Sequence, residues 1–516
     1  MTAAPIPDTE PMRWLHGRWT VPAIAASYLL LHLLTASRYG LFRDELYYVA
    51  CSEHLGAGYV DHPPLIAFIT WFARHAFGES MLGLRLLPAL AGAGTVWLTG
   101  SLAGEMGGGR FARAAAASAV ALVPYYQLLQ HWLTMNAFEP LTWTACAWCL
   151  VRAVNSGNPR YCLLFGFIAG VGLENKYSVA FLLVGIVAGL LLTPDRRFLL
   201  SRWFWLGVIA ALALILPNLV WLFRHDFPFF ELMHNIRMGT RDITRPPLEF
   251  MLDQAMVHNP LLCPLWVGGL LWLLFDSRGR RYRVLGISFL VVFATLMFLK
   301  GKNYYVSPVY AMVLAAGAVA LESATKGRWF HARSAYCAVT VAFSLLILPI
   351  TMPILPVETY IRYQRALSYP PPEFEHQRNG VLPQYYADEF GWEEMAKATA
   401  AAYNQLSETD RAKAVIFANN FGEAAAIDFY GPRYGLPKAI CPHQSYWLWG
   451  YREARGDVIL VLGSDGVGDR EHFDSVGDAG KVAHIYSRRD EHFTLWLCRG
   501  LQFDLGKNWT AMKRWN

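Results

Sequence analysis

At 516 residues, with 54% hydrophobic and only 16% charged side chains and a mean hydropathy of +0.26, the chain is too apolar for a soluble protein, because soluble domains carry about 25% charged residues. The formal net charge of +6 therefore reads first as a membrane-topology signal, and no nucleic-acid partner is called for.

The N-terminal "MTAAPIPDTEPMRWLHGRW" is acidic and Pro-rich, unlike a cleaved leader, so the first apolar segment reads as a retained anchor. Apolar segments then recur, near Val21 to Ser37, Leu82 to Gly104, Phe111 to Leu129, Leu133 to Ala153, Tyr161 to Leu173 and Tyr177 to Leu192. More follow near Trp203 to Phe223, Leu261 to Phe275, Val284 to Leu299, Tyr305 to Leu321 and Ala335 to Ile350. A helix crossing a hydrocarbon core of about 30 Å needs about 17 to 25 such residues, which predicts about eleven transmembrane helices, within a range of about nine to thirteen.

Every second connecting loop is short and basic: Arg110 and Arg113; Arg152 and Arg160; Arg196, Arg197 and Arg202; Arg278, Arg280, Arg281 and Arg283; Lys326, Arg328 and Arg333. Arginine and lysine accumulate on cytoplasmic loops. The intervening loops are then expected outside, together with everything after Pro353. From residue 355 to residue 516 the composition shifts. A Pro-rich "SYPPPEFE", β-prone runs "AVIFAN", "DVILVLG" and "TLWLCRG", and an Ala-rich helical stretch around Trp392 to Gln405 predict an extracytoplasmic α/β domain, with residues 1–354 forming the membrane part. "GSDGVGD" reads as a turn after a strand. The "CAWC" of Cys146 and Cys149 has no second pair beside it and reads as helix packing, whereas Cys441 and Cys498 could pair in an oxidising compartment.

The first outer loop, roughly Arg38 to Ser80, is unusually rich in functional side chains. "FRDELYY" supplies Arg43, Asp44 and Glu45, and "GYVDHPPL" supplies Tyr59, Asp61 and His62. Apolar spacing predicts two amphipathic helices in the interface plane, broken at the His-Pro-Pro turn. On local chemistry alone, Asp44 and Glu45 read equally as first-turn carboxylates of such a helix, favoured by its dipole. Later outer segments add Lys176 from "GLENKYS" and Lys300, Lys302, Tyr304 and Tyr305 from "LKGKNYYVSPVY". Ammonium and hydroxyl groups gathered at an interface suit a phosphate, although lysine and tyrosine also serve there as membrane anchors.

The acidic pair opening the loop, the "YVDHPPL" turn closing it and the later "KNYYVSP" together resemble the polytopic glycosyltransferases of the dolichyl-phosphate-mannose protein mannosyltransferase type. Their bacterial relatives, including the undecaprenyl-phosphate aminoarabinose transferases of lipid A, are the nearer likeness. The resemblance implies the GT-C fold, and an enzyme that moves a sugar from a polyprenyl-phosphate donor to a lipid, glycan or protein acceptor. It further implies a multi-pass protein of the bacterial inner (plasma) membrane, in contact with membrane lipids, whose active site and C-terminal domain face the periplasm. Asp44 matches the family's catalytic carboxylate, with Glu45 beside it. The family's turn usually reads Tyr-x-Glu-Lys-Pro-Pro; here Tyr59 matches, Asp61 replaces the glutamate and His62 the lysine, which leaves Lys302 or an arginine such as Arg43 to supply a fixed charge to the phosphate. Tyr304 or Tyr305 corresponds to the phosphate-side tyrosine. Glu139, in "HWLTMNAFEPL", either replaces an aspartate often seen after the third span or ties helices together.

No cofactor is required by such a reaction. Asp61, His62, His54, His225 and His234 offer scattered ligands for a divalent metal in a structural role, without a ligand set of fixed spacing. The rival from another class is a transporter or lipid flippase, whose ionisable groups sit near the bilayer midplane; here they gather at the outer ends. A receptor or scaffold working through its C-terminal domain would leave the loop unexplained.

Overall fold

The computed structural model describes residues 19–239, 243–325, 329–368, 378, 380–452 and 454–516. The N-terminal stretch up to Arg18, Lys326, Arg328 and the "SYPPPEFE" run beyond Ser368 lie outside the described residues. Each apolar segment named above falls on a helix, to within a few residues. By length and composition, five of the described helices can cross a bilayer unaided, or seven if each of two bent pairs is one span. Proline accounts for much of the gap from about eleven. The segment Phe111 to Leu129 divides at Pro124 into Arg110–Ala121 and Pro124–Leu129. Val179–Leu191 turns by 115° into Pro194–Leu200, and Pro247–Val257 turns by 97° into Pro260–Phe275. In each case proline occupies a first helical position, where its missing N–H costs nothing and its ring prevents the preceding helix from continuing.

Met81–Glu105 packs against Thr20–Thr35, Arg110–Ala121 and Met135–Ser156. Arg160–Asn175 lies so close to Arg202–Arg224 that a Cβ on Gly166 would overlap the Gly207 backbone, the small-residue contact expected where no water drives helices together. On Arg202–Arg224, Trp205, Ile209, Leu212, Leu216 and Phe223 are left exposed at helical spacing, an apolar stripe suited to lipid. The chain is a multi-pass membrane protein.

Both expected helices of the first long loop form, as Arg43–Glu53 and Leu65–Phe77. Leu65–Phe77 is amphipathic, with Phe68, Trp71 and Phe72 exposed. Arg43–Glu53 differs from a helix resting on a membrane: Glu45 through Ser52 are buried, because the C-terminal domain packs over it. Leu46, Tyr47, Ala50 and Cys51 share one core with Phe421, Ala424, Ala425 and Leu460.

That domain is a four-stranded sheet of order β1-β2-β4-β3, formed by β1 (Ala414–Ala418), β2 (Val458–Leu462), β3 (Phe473–Val482) and β4 (Phe493–Leu501). β1 and β2 are parallel, and the other pairs antiparallel. Helices Trp392–Asn404 and Phe421–Tyr430 join the core on one face. Sequence patterning locates β1, β2, β4 and the first helix, but not β3, whose "FDSVGDAGKV" is an edge strand with most positions exposed or half-buried and a register shift between Asp478 and Gly480. Cys441 and Cys498 do not pair. Cys441 belongs to the core beneath the sheet with Leu460 and Leu462, whereas Cys498 packs with Ile459 and Val461 on the opposite face.

Candidate active site

The site begins with how the loop helix is started. Phe42 precedes it in an extended conformation, and the Glu45 carboxylate at the third helical position accepts the Phe42 N–H at 2.8 Å, satisfying one of the donors that a helix start leaves orphaned. Glu45 is completely buried. Its remaining acceptor positions take the Leu133 N–H at 2.9 Å and a two-pronged contact from Arg85, at 3.0 and 2.7 Å. Arg85 also donates to the carbonyls of Ala36 and Gly40 and reaches Glu389 of the C-terminal domain at 3.3 Å. Glu45 thus fixes the helix, and with it the direction of its neighbour Asp44. The domain docks here by backbone as well: Arg43 N–H donates to the Asp388 carbonyl at 3.1 Å, and a Cβ on Gly40 would overlap the Glu389 carbonyl oxygen.

Burial pushes Glu389 up from the usual 4.5 to about 8; the Arg85 guanidinium pulls it down and the Glu45 carboxylate pushes it up further. The folded value lies above the unfolded one, so the native state holds the extra proton. The stability that this group lends is complete below pH 4.5 and drains away as the pH climbs through about 8. Thermal unfolding measured from pH 5 to 9 is expected to show that decline, and Glu389→Gln to flatten it. An unchanged slope in the variant would assign the decline to another group.

Asp44 faces the other way and is about one-third exposed, with its Oδ1 3.5 Å from the Arg43 Nε. It lines a cavity of about 110 Å³ together with Arg43, Trp132, Asn136, Lys302, Tyr304 and Tyr385. Lys302 precedes a tight 3-10 turn, Asn303–Val309, that turns Tyr304 inward to stack on Tyr125 at 4.9 Å. Asn136 connects this cavity to a second group: Lys176 donates to its Oδ1 at 2.6 Å and to Glu139 at 2.8 Å, and its ammonium lies 4.8 Å from the centre of the Tyr305 ring. Glu139 also accepts from Ser178. Asp61 accepts the Tyr47 hydroxyl at 2.8 Å.

The structure therefore brings Arg43, Asp44, Lys302 and Tyr304 to one cavity, and Lys176, Glu139 and Tyr305 together beside it. Tyr59 and His62 do not line it. His62 is buried, stacked on Tyr59 at 4.6 Å and edge-on to Tyr48 at 5.1 Å, with its Nδ1 2.8 Å from the Pro63 carbonyl and its Nε2 3.7 Å from the Cys51 sulfur. The Tyr59 hydroxyl points at the carbonyls of Cys51 and His54, both at 3.0 Å. These two hold the turn rather than reach toward Asp44. Among the described residues, no group of three or more His, Cys, Asp or Glu side chains is gathered to hold a metal ion. Sequence reasoning missed Arg85, which a lone arginine inside the apolar "LGLRLLPAL" signals. It also missed Tyr385, which no local pattern marks.

Residues 61–221 match the sequence model of the dolichyl-phosphate-mannose-protein mannosyltransferase family. The undecaprenyl phosphate-alpha-4-amino-4-deoxy-L-arabinose arabinosyl transferase 1 of Pseudomonas fluorescens is 25% identical over 61% of this chain, and the aligned stretch spans 59% of that relative's length. The crystal structure of ArnT from Cupriavidus metallidurans bound to undecaprenyl phosphate superposes with a TM-score of 0.58 at 15% identity, covering 95% of this chain and 98% of that one. The same protein in the apo state gives 0.57 at 16%, covering 92% and 97%. The fold is thus that of the ArnT structures, and the likeness to the polytopic lipid-dependent glycosyltransferases, first carried by three short motifs, is borne out.

Proposed function

We propose that the chain is an integral-membrane glycosyltransferase, moving a sugar from a polyprenyl-phosphate donor to an acceptor hydroxyl or phosphate by a single inverting displacement. The observation that carries this reading is the meeting of the Asp44 carboxylate with Arg43, Lys302 and Tyr304 around one cavity, whose other carboxylate, Asp388, is taken up by Arg488. The solved ArnT with undecaprenyl phosphate bound supports a donor of that kind.

A sugar on a polyprenyl phosphate already carries a good leaving group. Transfer needs the acceptor oxygen to lose its proton as it attacks the anomeric carbon, and the bond from that carbon to the phosphate oxygen breaks as the new one forms. Asp44 takes the proton. Lys302, Arg43 and the Tyr304 hydroxyl stabilise the charge that builds on the departing phosphate, in a site where such donors are worth more than in water. Lys176 and Glu139, paired with each other and joined to the cavity by the Lys176 contact with Asn136, position the sugar side. Replacing Lys302 with methionine removes a charge-assisted contact worth about 1.5 to 3 kcal/mol. Undecaprenyl phosphate is then expected to bind about 10 to 100-fold more weakly in a filter or thermophoresis assay. Unchanged affinity would take Lys302 out of the phosphate site.

The basic loops and the cavity occupy opposite ends of the helices, which supports an extracytoplasmic site. Arg85 meets Glu45 near one end of Met81–Glu105, while at the other Glu105 pairs with Arg152 at 3.0 Å and Tyr282 bonds Asn155 at 2.8 Å. Twenty residues of helix separate the two by about 30 Å. In this scheme residues 1–354 form the membrane part and residues 355–516 an extracytoplasmic domain. Ser475 is exposed on β3. Ser475→Cys is expected to react with an impermeant maleimide on intact spheroplasts; reaction only after lysis would invert the orientation.

A further inference from the structure

A second cavity, of about 260 Å³, opens in the C-terminal domain. It lies past the carboxyl ends of the parallel strands: Asn419 and Asn420 follow β1, and Gly463 follows β2. Open α/β sheets bind ligands at that edge. Gly463 has a φ of +70°, and a Cβ there would overlap the Glu423 carboxylate that shares the wall.

Among the described residues, Glu491 and Arg514 in the wall of this cavity each have a buried polar atom without a partner. Glu491 is 6% exposed and its Oε1 accepts from Arg488 at 2.7 Å, but its buried Oε2 accepts nothing among the described residues. Arg514 donates through Nη1 to the Asn419 side chain at 3.0 Å, yet its buried Nε donates to none. An occupant that brings a donor to one and an acceptor to the other is favoured there, since leaving buried polar groups unmade is costly. Charge decides what kind. Three arginines, Arg43, Arg488 and Arg514, stand against three carboxylates, Glu423, Asp490 and Glu491. A phosphate would meet the open oxygen of Glu491, whereas each hydroxyl of a sugar both donates and accepts.

The cavity is also joined to the first one. Arg43 lines both, and Arg488 pairs at 2.5 Å with Asp388, which lines the Asp44 cavity. We infer that this pocket holds a neutral sugar ring of the acceptor, one layer of side chains from Asp44, so that the acceptor is a glycan-bearing molecule. The acceptor role rests on the glycosyl-transfer reading; the sugar site itself does not.

The test is saturation-transfer NMR and calorimetry on the full chain in nanodiscs, with the methyl glycosides of glucose, galactose, mannose and N-acetylglucosamine, and inorganic phosphate as a separate ligand. At least one glycoside is expected to bind saturably with Kd about 1 mM. Glu491→Gln and Arg514→Gln, checked for unaltered unfolding temperature, are each expected to weaken it at least about tenfold. Absence of saturable glycoside binding, binding of phosphate alone, or affinity indifferent to both substitutions would overturn the proposal. Because binding needs no turnover, glycoside binding without transfer from any donor would sink the transferase reading and leave the sugar site standing; transfer without glycoside binding would do the reverse.

Discussion

Asp44→Asn is expected to lower sugar transfer by about 10² to 10⁴-fold, the usual contribution of a positioned general base, while donor affinity stays near wild type. Asparagine keeps the shape and hydrogen-bonding reach of the side chain but cannot take a proton. The stability cost should be small, because Asp44 is about one-third exposed and its contact with Arg43 is long, at 3.5 Å, and ion pairs in reach of solvent contribute little. Glu45, one residue on, makes the contrast. Its oxygens are committed to two backbone N–H groups and to Arg85, so Glu45→Gln should act through position and stability rather than through the proton. Single-turnover transfer assays set beside donor-binding titrations separate the two roles. Full activity in Asp44→Asn would remove it as the base.

Arg85→Met carries the largest expected structural effect. It strands the Glu45 carboxylate in a site with no solvent, and breaking one partner of a buried pair costs about 3 to 5 kcal/mol. The same substitution cuts the contacts to the Ala36 and Gly40 carbonyls and to Glu389, which join the first helix, the loop and the C-terminal domain. Unfolding in detergent is expected at a clearly lower temperature. Adding Glu45→Gln to Arg85→Met should recover part of the loss, because a neutral amide is cheaper to bury than an unpaired carboxylate. An Arg85→Met protein that melts with wild type would show that the domain is held by its apolar contacts with the loop helix alone.

How far the sequence could be read follows from where each signal resides. Helices show through hydrophobic runs, so every apolar segment lies on one; β1 and β2 show through continuous apolar runs, and β4 through its aromatic and aliphatic residues. β3 does not, since its Gly- and Asp-rich edge buries almost nothing. Asp44 and Lys302 could be singled out as candidates because the motifs that hold them are local, whereas "KNYYVSP" left Tyr304 and Tyr305 as alternatives. The separate fates of Asp44 and Glu45 were not, because what distinguishes them is Arg85, forty residues away in sequence. His62 and Tyr59 show the same limit. Their residue types suit a phosphate, but the rings of Tyr47 and Tyr48 close on His62 and the carbonyls of Cys51 and His54 take the Tyr59 hydroxyl once the loop is folded. The docking of Arg43–Glu53 beneath the C-terminal domain is likewise a long-range fact, which an amphipathic pattern cannot tell from a membrane-surface helix.

The most direct test uses purified protein in liposomes, an anomerically defined polyprenyl-phosphate sugar labelled in both lipid and sugar, and an envelope glycolipid extract as acceptor. The account predicts that wild-type protein frees polyprenyl phosphate, that the label moves to an acceptor with inverted anomeric configuration, and that Asp44→Asn does neither. Intact donor appearing in the opposite leaflet, with no polyprenyl phosphate released, would contradict it and point to a flippase.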